Sequence, residues 1–109
     1  MHSEPAIEID LEMLRFLARY VTTPIKWDIV TFFAENPFTQ DTAAGIARRL
    51  ARLEAVVRRE LEDLVLLGLL ERENAGPDAI YRLGSDVELR RQLPAFARRP
   101  AQFTPPHIQ

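Results

Sequence analysis

The sequence predicts a small, mainly α-helical domain that carries one β-hairpin. Three observations lead there. Apolar residues recur at helical spacing in five segments between Ile7 and Phe96. The stretch Asp41–Leu70 (DTAAGIARRLARLEAVVRRELEDLVLLGLL) reads as a short helix, a tight turn and a longer helix that ends at a glycine. Behind it, two strand-like runs flank Asn74-Ala75-Gly76-Pro77-Asp78, a strong turn signal.

Length and composition fit that class. A chain of 109 residues suits one domain and can bury a core without disulfides or metal. The absence of cysteine excludes a disulfide framework, a zinc ribbon and a thiol nucleophile, and leaves the redox compartment open. The N-terminus MHSEPAIEIDLEM is acidic, where a secretory leader starts positive, and the longest apolar run, Leu64–Leu70, is too short to span a bilayer. A cytoplasmic location is expected. Net charge is −2, so composition shows none of the basic excess usual in nucleic-acid binders. Residues 1–40 hold three basic residues against six acids, residues 41–70 five against five, and residues 71–109 six against five. Any positive surface must therefore come from Asp41 onward.

The first helix is expected from about Ile7 to Val21. Leu11, Leu14, Ala18 and Val21 form one stripe, and Phe16 and Leu17 broaden it. Two apolar faces on a terminal helix suit a dimer interface (Leu11, Leu14, Phe16, Leu17 and Val21, joined by Leu93 and Phe96) or burial of both faces in one small domain. Thr23 caps the second helix and Pro24 opens it, because the first helical N–H is unpaired anyway. That helix runs to about Glu35, with Ile25, Ile29, Phe32 and Phe33 on one face and Trp27 and Val30 beside them; Trp27 is read as core. Asn36-Pro37 stops it, since a residue before proline is pushed out of the helical region. Phe38-Thr39-Gln40 is an extended link suited to a small first strand.

Asp41 or Thr42 caps the third helix, about Thr42 to Ala51, which buries Ile46, Ala47 and Leu50 and turns Arg48 and Arg49 outward. Gly45 costs helix stability, and a close helix crossing would explain it. The fourth helix, about Leu53 to Leu67, carries the stripe Leu53, Val57, Leu61, Leu64, Gly68 and an opposite face of Glu54, Ala55, Arg58, Arg59 and Glu62. Val56, Leu66 and Leu67 fall on neither and require a second cover. Gly68 fits the left-handed position that ends a helix. Leu69–Glu73 and Ala79–Leu83 are the hairpin strands. Ser85-Asp86-Val87-Glu88 reads as a capping box, Ser85 at the cap and Glu88 three residues on. The last helix buries Val87, Leu89, Leu93 and Phe96, is kinked or interrupted at Pro94 and ends at Pro100. The tail AQFTPPHIQ is expected to be loose.

The spacing Ile46-Ala47-x-x-Leu50, then Val57-x-x-x-Leu61-x-x-Leu64-x-x-x-Gly68-Leu69, with Tyr81-Arg82-Leu83 behind it, resembles the winged helix-turn-helix transcriptional regulators, nearest to the ArsR-like and MarR-like repressors. The resemblance covers about Pro24 to Leu83. It implies a winged helix-turn-helix over residues 24–84, with an additional N-terminal helix in 1–23, a C-terminal helix in 85–99 and a tail in 100–109. It also implies a homodimer that places its fourth helix in the major groove of double-stranded DNA. Three departures stand out. Leu53 sits where such a helix often opens with Ser or Thr, and Glu54 is its first exposed side chain. The cysteine ligands of thiolate metal sensors are missing.

Under that reading Arg58 and Arg59 are the leading base or phosphate contacts, flanked by Glu54 and Ala55. Arg48, Arg49, Arg52 and Thr42 would hold backbone phosphates, and Arg72, Asn74 and Arg82 would act from the hairpin. Each has a plain alternative. Glu54–Arg58–Glu62 and Arg59–Asp63 are at the spacing of solvated helix pairs, worth about 0.2–0.5 kcal/mol each. Thr42 suits a cap and Asn74 a turn. His2 and His107 lie in the chain ends. No nucleophile with a partner, metal spacing or phosphate loop is visible, so no enzyme activity, metal or cofactor is expected. The competing reading is a winged helix that binds protein, for which the near-neutral helix-turn-helix and the acidic first forty residues speak.

Overall fold

A computed structural model describes residues 5–98. His2, His107, Pro100 and the tail lie outside them. The elements are α1 (Pro5–Tyr20), α2 (Pro24–Glu35), β1 (Asp41–Thr42), α3 (Ala43–Leu50), α4 (Glu54–Leu66), β2 (Leu70–Glu73), one 3-10 turn (Gly76–Asp78), β3 (Ile80–Leu83) and α5 (Val87–Ala97). The chain is mainly helical with one small antiparallel sheet of order β1-β3-β2. β2 and β3 form a hairpin in which Leu70 faces Leu83 and Glu73 faces Ile80. β1 adds to β3 through Asp41–Tyr81 and Thr42–Ile80. This strand falls three residues later than the Phe38–Gln40 link suggested. The pairing partner, not local propensity, decides where so short a strand forms.

Local chemistry sets the boundaries. Thr23 Oγ1 accepts from Lys26 N at 3.1 Å, with Pro24 at the start of α2. Asn36 ends that helix, its backbone N–H bonded to Phe32 O. Thr42 Oγ1 accepts from Gly45 N at 3.1 Å and caps α3. α3 ends at Ala51 in the left-handed conformation, φ 57°. There Arg52 N reaches Ala47 O and Ala51 N reaches Arg48 O, which satisfies two last-turn carbonyls. α4 ends the same way at Gly68, φ +91°, with Leu69 N on Leu64 O and Gly68 N on Val65 O, both at 3.0 Å. Gly45 has a different reason from a helix crossing: a Cβ there would run into the Asp41 carboxylate.

α5 is capped by Asp86, which accepts from Glu88 N at 2.8 Å and Leu89 N at 3.3 Å. The expected Ser85 capping box does not form, because Ser85 turns to Glu71 instead, N and Oγ each at 3.2 Å. α5 runs through Pro94 without interruption and closes at Arg98.

The core joins α2, α3, α4, the sheet, α5 and one face of α1. Ile29, Val30, Phe33, Ile46, Val57, Leu61, Leu64, Leu69, Tyr81 and Phe96 are fully enclosed, each large apolar side chain contributing about 1.5–3 kcal/mol by burial. Leu50 and Phe32 are half-buried at its edge, and Trp27 lies within it against Phe96, ring centroids 5.7 Å apart.

α1 turns the other way from the stripe expected. It buries Met13 and Phe16, with Leu17 and Tyr20 half-buried, and leaves Leu11, Leu14 and Ala18 outside. Both sets have helical spacing. The aromatic one is inward because Phe16 stacks at 5.1 Å on Tyr20 and 5.3 Å on Phe96. Three further apolar residues are exposed rather than buried: Leu53, Leu66 and Val87. Leu53 precedes the helix with extended backbone, so helical spacing does not apply to it. Leu66 and Val87 stand two residues from Leu64 and Leu89, half a helical turn off the buried line. Val56 is partly exposed and Leu67 half-buried. Among the described residues no helix is long and apolar enough to cross a membrane.

Candidate nucleic-acid interface

The candidate face is built on α4. Packing against α2, α3 and β2 holds Val57, Leu61 and Leu64 inside and turns Glu54, Ala55 and Arg59 to solvent, with Arg58 half-exposed. α3 arrives at its N-terminal end. Arg48, Arg52, Leu53 and Glu54 line one open groove there together with Ile25, Ala47 and Val56. The hairpin is tied to the same helix. Arg58 Nη1 donates to Gly76 O at 3.3 Å, and Arg72 Nη1 reaches Glu62 Oε1 at 2.6 Å.

The four acids of α4 do not share one side. Glu60 and Asp63 face α2, where Lys26 Nζ binds Glu60 Oε1 at 2.5 Å and Asp63 Oδ2 at 3.2 Å. Glu62 faces the sheet, taking the Tyr81 hydroxyl and Arg72. Only Glu54 stays with the outward arginines, as the ion-pair partner of Arg58. The expected Arg59–Asp63 pair and the Arg58–Glu62 rung are therefore absent. Buried and bridging partners on neighbouring elements outcompete a solvated helix pair.

Lys26 is only 5% exposed, the one charged residue in the core among the described residues. Its two carboxylates hold its pKa above the ordinary lysine value against the opposing effect of burial. The Tyr81 hydroxyl bond, helped by Arg72, holds the Glu62 carboxyl below its usual range. Burial first, then Glu62, pushes the Tyr81 phenol up to about 12.

The other expected contacts differ in what holds them. Arg48 and Arg59 are exposed and have no side-chain partner among the described residues. Arg49 is exposed, 3.9 Å from Asp41 and over the Phe32 ring at 5.6 Å. Arg52 is paired with Asp28 at 2.5 Å, and Arg82 with Glu73 at 3.0 Å and Glu71 at 3.6 Å. The hairpin arginines are thus neutralised. Thr42 is committed to its cap. Asn74 is exposed and sits in the turn at φ 71°.

The seven residues assigned to a dimer interface divide similarly. Phe16, Val21, Leu93 and Phe96 are buried in this chain's own core and Leu17 is half-buried against it, so the larger apolar payload of α1 is used internally. Leu11 and Leu14 remain outward, 55% and 50% exposed.

Lys26 and Glu60 have no role in the sequence reading, where Asp63 enters only as a partner of Arg59 and Tyr81 only as a strand residue. A signal for the first was present. Lys26 is the only lysine beside thirteen arginines. Its spacing to Ile29, Val30 and Phe33 places it on the buried stripe of α2. Comparison with family models and with curated proteins finds no match to this sequence.

Proposed function

We propose that this chain is a winged helix-turn-helix DNA-binding regulator, with α3 and α4 as the helix-turn-helix, β2–β3 as the wing and α4 as the helix that enters the major groove. One observation carries the reading. Three of the four acids on α4 are drawn to α2 and the sheet, so its outward face is more basic than its composition: Arg58 and Arg59, with Arg48 exposed on the neighbouring α3. The remaining acid, Glu54, holds Arg58 in a solvated helix pair worth about 0.3–0.5 kcal/mol, which an arriving phosphate displaces easily. The proposed regulator is a homodimer through the outward stripe of α1, and it works in the cytoplasm. A dimer would set two α4 helices on half-sites about one DNA turn apart.

Replacing Arg58 and Arg59 by alanine tests the assignment. The double variant is expected to lose at least tenfold in affinity for duplex DNA, measured by fluorescence anisotropy, with thermal stability little changed. Unchanged affinity would remove both residues from the site.

A second reading, docking to a protein, is favoured by a separate observation. Leu53 is 75% exposed and Val56 38% at the leading end of α4, an apolar edge where phosphates offer nothing to it. Recovery of a stoichiometric protein partner after nuclease treatment, with no duplex binding by the purified chain, would favour that reading over the first.

A further inference from the structure

We propose that Lys26 is a positioning residue that keeps Arg59 free for a phosphate by drawing Asp63 away from it; the inference rests on the DNA-binding reading above. Arg59 and Asp63 stand four residues apart on α4, the spacing at which an arginine and a carboxylate pair on a helix surface. They do not pair. Asp63 Oδ2 accepts from Lys26 Nζ at 3.2 Å, and the same ammonium binds Glu60 at 2.5 Å. Lys26 is 5% exposed and held by the packing of α2, so it cannot follow the carboxylates outward. One fixed cation facing two acids three residues apart decides which side of α4 carries negative charge.

Arg58 and Arg59 differ in what replaces a withdrawn acid. Arg58 loses Glu62 to Tyr81 and Arg72 but finds Glu54 one turn back. Arg59 has Ala55 and Val56 at the corresponding positions, so nothing replaces Asp63. Without Lys26 the Asp63 side chain, half exposed, turns to the nearest cation on its own helix, which is Arg59. A phosphate then has to break that pair.

The test uses the pair of substitutions Lys26→Met and Glu60→Gln together. This removes the buried cation and its most enclosed partner at once, leaves no buried charge unpaired and keeps the net charge of the chain. Binding of a labelled duplex is followed by fluorescence anisotropy at fixed salt. The double variant is expected to bind about two- to fivefold more weakly than the wild type, the size of a solvated ion pair that must be broken in each protomer. Adding Asp63→Asn is expected to restore the affinity. A DNA-free readout runs beside it, the coupling between Arg59→Ala and Asp63→Asn in thermal unfolding. That coupling is expected to be zero in the wild-type background and measurable in the double-variant background. Wild-type affinity in the double variant, or no coupling in either background, overturns the proposal. Failure of the wild type to bind DNA overturns the functional reading alone, since the coupling still reports whether Lys26 diverts Asp63.

Discussion

Tyr81 and Glu62 join the sheet to α4 by a hydrogen bond between a buried phenol and a carboxylate. Both partners are shifted in the direction that stabilises the neutral phenol and the ionised carboxyl. The consequences have opposite signs on the pH scale. Glu62, with its folded pKa lowered, contributes stability that is present above the unfolded carboxyl value and lost as pH falls through the folded one. Tyr81, with its folded pKa raised from about 10 to about 12, contributes stability that is complete below pH 10 and lost as pH rises towards 12. Tyr81→Phe is expected to cost about 1.5–3 kcal/mol at neutral pH, the worth of a hydrogen bond to a charged group. Urea unfolding at several pH values should show that difference shrinking between pH 10 and 12. A difference that stays constant over that range would mean that folding does not raise the pKa of the phenol.

Two backbone positions give residue-scale tests of the helix ends. Ala51 closes α3 at φ 57° and Gly68 closes α4 at φ +91°. A side chain in the left-handed region costs roughly 1–2 kcal/mol, partly offset by the greater freedom glycine has in the unfolded chain. Ala51→Gly should therefore stabilise the fold by up to about 1 kcal/mol. Gly68→Ala should destabilise it by about 1 kcal/mol, although no atom lies within 4 Å of the added carbon. Equal effects of the same sign in chemical denaturation would contradict this account of the two turns.

At the scale of elements, the parts fixed by local chemistry were legible in the sequence. Thr23, Pro24, Asn36, Thr42 and Gly68 act where propensity placed them, and α2, α3, α4 and the hairpin lie close to their expected spans. What was not legible depended on long-range choices. α1 offers two stripes of equal spacing, and only the aromatic contacts of Phe16 with Phe96 select one. β1 is placed by β3, forty residues away. On α4 the sequence shows four acids against two arginines, an acidic helix on paper. Their separation is set by Lys26 on α2 and by Tyr81 and Arg72 in the sheet, none of them neighbours in sequence. The magnitudes explain why these partners win. A solvated helix pair is worth a few tenths of a kcal/mol, while stripping a partner from a buried charge costs about 3–5 kcal/mol.

For the whole molecule, the exposed arginines and the exposed apolar stripe of α1 belong to different elements. Arg48 lines the groove where α3 meets α4 and Arg59 is exposed on α4 with Arg58 half-exposed beside it, whereas Leu11, Leu14 and Ala18 lie outward on α1, which packs on α5. In the proposed regulator the second region pairs two protomers. Leu11→Glu with Leu14→Glu is expected to convert a dimer to a folded monomer in sedimentation equilibrium, and to weaken binding to a two-half-site duplex far more than to a single half-site. A wild-type monomer at micromolar concentration would remove the dimer from the account.

In the proposed regulator α4 meets a duplex through cations left free or only weakly held. Phosphate contacts release counterions, so affinity must fall with salt at a slope set by their number. The direct measurement is the affinity of the purified chain for a mixed-sequence duplex, titrated from low to physiological salt. With Arg48, Arg58 and Arg59 in contact, the logarithm of affinity should fall against the logarithm of salt with a slope of about −3 per protomer. Absence of duplex binding at low salt, or binding indifferent to salt, would contradict the claim.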